Sequence, residues 1–111
     1  MSKKILIILR KPPHGSLYPA EGLRVAVAVS ASETTVASIG DSVYAFVKET
    51  DMTLYKHHLD FLAETEIPVL IDKDALETRG LTQEDLASGV TVKDHSEIIK
   101  TIAEADATLV F

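Results

Sequence analysis

Small, acidic and imidazole side chains follow three apolar runs that the sequence predicts to be strands. They are His14, Gly15, Ser16, Gly40, Asp41 and Asp72. A histidine and a carboxylate can move protons, glycines admit a ligand close to the backbone, and free N–H groups in such a loop can hold an anion. The alternative is that these residues are structural: the loop around His14 is stiffened by prolines and packs against a neighbouring subunit, and Asp41 and Asp72 cap helices. Because two carboxylates are present, a cationic or neutral polar ligand, or a partner's basic side chain, is favoured.

Sequence motifs for catalysis are absent. The chain has no glycine-rich nucleotide fingerprint and no Gly-x-Ser-x-Gly elbow, and its zero cysteines exclude disulfides, thiolate metal sites and a cysteine nucleophile. His57 and His58 are adjacent, so on a helix their side chains project about 100° apart rather than towards one metal ion. We therefore predict no catalytic residue, no metal site and no cofactor. A further hypothesis, an enzyme that uses Asp72 and His14 as acid and base, is disfavoured because neither residue lies in a recognisable catalytic motif.

Length and charge narrow the class of protein further. With 111 residues the chain forms one domain, residues 1–111. Its net charge of −6 argues against a nucleic-acid groove, which needs a basic stripe. The apolar run from Ile5 to Leu9 is too short for a membrane span or a signal-peptide core. We expect a cytoplasmic protein with no nucleic acid or membrane as partner.

Strands alternate with helices along the chain, which is typical of an α/β domain with a mainly parallel sheet of about five strands. The predicted strands are Lys4–Leu9, Thr34–Ile39, Ile67–Ile71, Val90–Val92 and Ala107–Phe111. The predicted helices are Pro19–Ala31, a short one capped by Asp41 or Ser42, Leu54–Thr65, Asp72–Thr78, a short one from Thr82 to Ser88, and Ser96–Ala105. Asp94 and Glu97 have the spacing of a capping box, and Ile98, Ile99 and Ile102 are predicted to face inward.

Surplus apolar side chains predict an oligomer. The mean hydropathy is +0.14. Around the middle loop the apolar residues are Tyr44, Phe46, Val47, Leu54 and Tyr55. A small sheet protein would leave part of this cluster exposed, and exposed apolar patches mark interfaces. The protein is therefore predicted not to be a monomer.

Five short motifs occur in an order that resembles a known family. They are Arg10-Lys11-Pro12-Pro13-His14-Gly15, Glu21-Gly22-Leu23, Gly40-Asp41-Ser42-Val43-Tyr44-Ala45, Thr78-Arg79-Gly80-Leu81 and Glu104-Ala105-Asp106-Ala107. Together they resemble the DsrE/DsrF-like family of small sulfur-relay proteins, nearly end to end. The Pro-His-Gly loop and the Gly-Asp-x-Val segment are most similar to the DsrF/TusC branch.

The resemblance implies a three-layer α/β/α sandwich that assembles into trimers or hexamers, sometimes from unlike subunits. In sulfur-transferring members a cysteine just after the third strand carries a persulfide. Counting back from Arg79-Gly80 places Asp72 at that position. A carboxylate has no sulfur to carry and cannot replace a thiolate nucleophile.

Two functional hypotheses follow. In the first, the chain is a non-catalytic subunit or partner-binding component of intracellular sulfur relay, as a homo-oligomer or together with a cysteine-bearing homologue. In the second, it is a homo-oligomer that binds a small molecule at the carboxyl edge of the sheet. The binding residues would be His14, Gly15, Ser16, Gly40, Asp41 and Asp72.

Overall fold

The computed structural model describes residues 3–111, which form one five-stranded parallel sheet with helices on both faces. The strands are β1 (Lys4–Leu9), β2 (Glu33–Ser38), β3 (Val69–Asp72), β4 (Thr91–Lys93) and β5 (Ala107–Val110). The helices are α1 (Tyr18–Ala28), α2 (Lys56–Glu64), α3 (Lys73–Thr78) and α4 (His95–Glu104), with 3₁₀ segments at Gly40–Phe46 and Gln83–Asp85. The strand order is β4-β3-β2-β1-β5, with all four pairings parallel. The predicted α/β/α architecture is confirmed.

Strand β1 shows why the sheet needs cover on both faces. Ile7 and Leu9 belong to the larger core, whereas Leu6 and Ile8 belong to a smaller core on the other side. Alternate residues of a strand point to opposite faces, so a continuous apolar run is stable only where both faces are covered. Helices α1 and α2 and the 3₁₀ segment Gly40–Phe46 pack into the larger core, and Ile98 of α4 packs into the smaller one.

Helix α1 ends at Ala28, three residues earlier than predicted. The chain turns there, because the Ser32 N–H donates to the Val29 carbonyl (2.9 Å) and the Thr34 hydroxyl donates to the same oxygen (2.9 Å). Val29 itself has left the helical conformation (φ −102°, ψ 17°), and the Ser30 N–H donates to the Val27 carbonyl (3.2 Å), three residues back rather than four. Strand β3 also begins later than predicted, at Val69, directly after Pro68.

Two aromatic residues of the middle loop, Phe46 and Tyr55, are core residues, so the structure exposes only part of the predicted apolar cluster. Phe46 is 0% and Tyr55 3% exposed, and the Tyr55 hydroxyl donates to the Ala45 carbonyl. Burial raises the pKa of Tyr55 to about 12, so the phenol stays a hydrogen-bond donor at neutral pH. Within the predicted cluster, Leu54 alone is largely exposed, at 64%.

Two further expectations are corrected at α4. Asp94 precedes the helix, but its side chain makes no cap hydrogen bond, so the predicted capping box is absent. A capping box lies instead where Thr82 donates its N–H to the Asp85 carboxylate (2.8 Å), and the segment there is a single 3₁₀ turn. Ile98 is buried as predicted, but Ile99 is 51% exposed because adjacent helical residues point about 100° apart.

Strand β5 lies at one edge of the sheet, and its side chains are exposed to solvent. It pairs only with β1, and all four of its residues are exposed. Its large side chains, Leu109 and Val110, are 43% and 53% exposed. Sheet edges are usually protected by lysine, proline or a bulge, and the segment Ala107–Val110 contains neither lysine nor proline. Within residues 3–111, no helix is long and apolar enough to cross a membrane.

Candidate functional site

The carboxyl ends of all five strands lie along one edge of the sheet, because every pairing is parallel. We call this edge the rim. The predicted site residues lie on the rim side, since His14 to Ser16 follow β1, Gly40 and Asp41 follow β2, and Asp72 is the last residue of β3. Two of the loops touch, since a Cβ built on Gly40 would lie 3.7 Å from the Arg10 carbonyl oxygen. Gly40 has a φ of 54°, a conformation that glycine adopts without strain.

Asp72 is the most constrained predicted site residue. It ends β3, is 4% exposed, and its Oδ1 accepts the N–H of Asp74 (3.2 Å) as the N-cap of α3. Its Oδ2 lies 3.0 Å from Nδ1 of His95, at the start of α4. The predicted cap is therefore present. The second oxygen also ties the end of β3 to the helix that follows β4.

Asp41 is held by a different partner. Its Oδ1 accepts from Nη2 of Arg79 at 2.7 Å and from Nε at 3.1 Å, while the guanidinium also donates to the Ala75 carbonyl (3.0 Å). This pair joins the turn after β2 to the end of α3. Because the Asp41 side chain is 57% exposed, solvent screens the attraction, and the pair's main effect is on geometry.

A buried hydroxyl network fixes the turn after β2. The Ser42 Oγ lies 2.7 Å from the Leu9 carbonyl oxygen, 2.8 Å from the Ile39 carbonyl oxygen and 2.6 Å from the Ser38 Oγ. Ser38 and Ser42 are both 0% exposed. The short helix predicted at this position is a 3₁₀ helix whose first residues are held against the end of β1. The hydroxyl of Ser42 is therefore a structural group.

The Pro-His-Gly loop makes no hydrogen bond to the acidic side chains of the rim among the described residues. His14 and Gly15 are exposed, and Gly15 has a φ of 72°. Ser16 is partly buried, and its Oγ accepts the N–H of Tyr18 (3.1 Å). Within the described residues, His14 is not a hydrogen-bond partner of Asp72. The acid–base pair considered from the sequence, Asp72 with His14, is therefore replaced by Asp72 with His95.

His95 was missed by the sequence analysis, although a signal for it exists. The residue follows the fourth apolar run, and β4 pairs with β3 so that Asp72 lies opposite Lys93, two residues before His95. A search for chemistry-bearing residues after every strand would have included it. Its pairing with Asp72 needs the strand order, which places β4 beside β3.

The Asp72 carboxylate raises the pKa of His95 above its usual value of 6.5, first through their hydrogen bond and then through the negative charge. The charged imidazolium is thus favoured in the folded protein. This contribution to stability is complete below pH 6.5 and is lost as the pH rises through the raised pKa. We expect NMR titration of chelator-treated protein to give His95 a pKa above 6.5, and Asp72→Asn to lower it. A His95 pKa at or below 6.5 that Asp72→Asn leaves unchanged would contradict the assignment.

A cavity of about 150 Å³ lies at the opposite edge of the sheet. It is lined by the first residues of β1 and β2 and by the end of α4: Lys4, Ile5, Leu6, Glu33, Thr35, Thr101, Glu104 and Ala105. No residue predicted for the site contributes to it. The cavity therefore lies between the end of α4 and the amino ends of β1 and β2.

Comparison with known proteins agrees with this geometry. The model of the DsrE/DsrF-like family matches residues 3–111. The intracellular sulfur oxidation protein DsrF of Allochromatium vinosum is 28% identical, covering 98% of this chain and 96% of that protein. The crystal structure of the ychN protein from E. coli superposes with a TM-score of 0.87 at 25% identity, and both chains are covered completely. A protein of unknown function from Methanobacterium thermoautotrophicum, MTH1491, shares the fold with a TM-score of 0.71 at 15% identity, again over both whole chains. The chain therefore belongs to the DsrE/DsrF-like family.

Proposed function

We propose that this protein is a non-catalytic component of an intracellular sulfur-relay assembly, acting as an oligomeric or partner-binding subunit in the cytoplasm. The observation that carries the proposal is the similarity to a protein named for intracellular sulfur oxidation over 98% of the chain. Similarity of that extent covers the whole fold, including the rim, rather than one shared motif.

The non-catalytic part of the proposal follows from the chemistry of sulfane sulfur transfer. An acceptor thiolate attacks the outer sulfur of a donor persulfide, the donor S–S bond breaks, and the donor leaves as a thiolate. The chain has no cysteine to act as acceptor, and a buried carboxylate, Asp72, ends β3. In this chain the rim is therefore a contact surface for a partner rather than a sulfur carrier.

The assembly part of the proposal rests on β5. Leu109 and Val110 are exposed on a strand edge that has free backbone hydrogen-bonding groups on one side. Leu17 and Tyr18 add apolar surface, at 64% and 53% exposed. Phe111 connects the two regions, because its ring lies 3.2 Å from the position of a Cβ on Gly22, one helical turn after Tyr18. The partner is a second copy of this chain or a cysteine-bearing homologue of the same fold.

The rim supports a second candidate function, in which a homo-oligomer binds a small polar molecule there. The favouring observation is that Asp72 and His95 come together at the surface, where the His95 side chain is 50% exposed. Contacts from His14, Gly15, Ser16, Gly40 and Asp41 would complete such a site. Mass spectrometry of small molecules that copurify with the protein separates this function from partner binding.

We expect the purified protein to gain no sulfur from a persulfide donor, because it has no thiol. The measurement is the intact mass after incubation with a loaded donor protein. Thr78→Cys supplies an exposed thiol at the end of α3 and is the positive control, which must gain sulfur for the assay to count. A stable gain of one sulfur atom by the unmodified chain would refute the non-catalytic assignment.

A further inference from the structure

Three side chains that commonly bind metal ions meet at the rim between β3 and β4. They are Asp72 at the end of β3, Asp74 in the first turn of α3 and His95 in the first turn of α4. One potential ligand atom from each lies within 4.8 Å of the other two. We propose that Asp72, Asp74 and His95 bind a divalent transition-metal ion of the zinc class, a function beyond the partner-binding role proposed above.

The kinds of donor atom select the class of metal. One imidazole nitrogen and two carboxylate oxygens are a set that zinc, cobalt and nickel accept, whereas magnesium and calcium prefer oxygen alone. Three protein ligands leave the fourth tetrahedral position open to water or to a ligand from outside. Asp74 and His95 are exposed, so that position is reachable from solvent.

Asp72 supplies the fixed part of the site. Its carboxylate is buried, and the Asp74 N–H on Oδ1 orients it, leaving Oδ2 towards the imidazole. Hydrogen bonds of this kind orient ligands in established metal sites. Ligand atoms on one tetrahedral zinc ion lie about 3.4 Å apart for bonds of about 2.1 Å. The 3.0 Å between Asp72 Oδ2 and His95 Nδ1 is already close to this spacing, and the exposed Asp74 carboxylate can rotate to complete the set.

The local charge also favours a cation. Asp72 and Asp74 contribute two negative charges against a single imidazole. Lys73 lies between them in sequence, but its Nζ is 3.9 Å from an oxygen of Asp94, so its positive charge is paired with a carboxylate outside the three ligands. Binding of a divalent ion would displace any proton held on the coordinating imidazole nitrogen and neutralise the two carboxylates.

The test is titration of chelator-treated protein with Co²⁺, followed by visible absorption, and with Zn²⁺, followed by calorimetry. We expect one ion per chain, with affinity reduced about tenfold or more by His95→Gln and by Asp74→Asn. Both replaced side chains are exposed, so the fold is retained, and circular dichroism checks this. The matched control, His57→Gln with His58→Gln, removes the adjacent histidines of α2 and should bind as the unmodified chain does.

Three outcomes would overturn the metal site. They are no saturable binding, binding that His95→Gln leaves unchanged, and binding that the His57/His58 control abolishes. The first would make the Asp72–His95 contact purely structural, the second would place the ion elsewhere on the chain, and the third would place it at His57 and His58. Because the sulfur-loading measurement involves no metal, either proposal can fail while the other stands.

Discussion

Replacing Leu109 and Val110 together by lysine is expected to convert the assembled protein into a 12.1 kDa monomer. Full burial of an exposed Leu or Val contributes about 1.5–3 kcal/mol, and these two side chains, 43% and 53% exposed, would each add about half of that on both copies of a symmetric interface. Lysine on an edge strand also disfavours pairing with another strand. Because both side chains are exposed in the single chain, the fold itself should persist.

Light scattering coupled to size-exclusion chromatography at micromolar concentration measures the effect on assembly. Leu54→Lys is the matched control, since Leu54 is 64% exposed but lies in the turn before α2 rather than on β5. The control should keep the mass of the unmodified assembly. A monomeric unmodified protein, or a lysine double variant that keeps the assembled mass, would exclude β5 as the interface.

Phe46→Ala is expected to lower the free energy of unfolding by about 3–5 kcal/mol, because it removes a fully buried ring and leaves a cavity. A loss of that size is a large part of the stability of a domain of this length. Leu54→Ala, from the same predicted cluster, should change stability by no more than about 0.5 kcal/mol because its side chain is exposed.

Urea denaturation of both variants, monitored by circular dichroism, makes the comparison at a fixed protein concentration. The concentration matters because assembly itself adds apparent stability. If Phe46→Ala instead dissociated the oligomer and left the unfolding of the chain unchanged, Phe46 would be an interface residue. The structure assigns it to the core beside the turn that holds Ser42.

The pattern of elements was accessible from sequence because it rests on local rules. Strand β1 was predicted with its observed bounds, since a continuous run of branched apolar residues between polar ends has few other stable forms. The positions at which helices and strands end were predicted less accurately. Helix α1 ends earlier than predicted because the backbone leaves the helix at Val29, whose carbonyl accepts the hydroxyl of Thr34 in the following strand.

Burial was harder to predict than secondary structure. The 3.6-residue period places Ile102 on the same face as both Ile98 and Ile99, so it does not separate the two, and the packing of α4 on the sheet buries Ile98 and exposes Ile99. Which members of the middle-loop cluster are buried, Phe46 and Tyr55 among them, was not predicted, because the sequence shows how many apolar residues exist but not how much room the core offers. Their burial depends on the packing of the 3₁₀ segment and α2 against the sheet.

Sequence alone determined that this protein has no thiol chemistry of its own, that it is an α/β domain, and that its polar residues follow parallel strands. Those conclusions depend on composition and on periodicities within single elements. Only the tertiary structure decided that Asp72 pairs with His95 and that Asp41 pairs with Arg79. Strand order and helix packing bring together groups 23 and 38 residues apart, and short-range patterns carry no record of such neighbours.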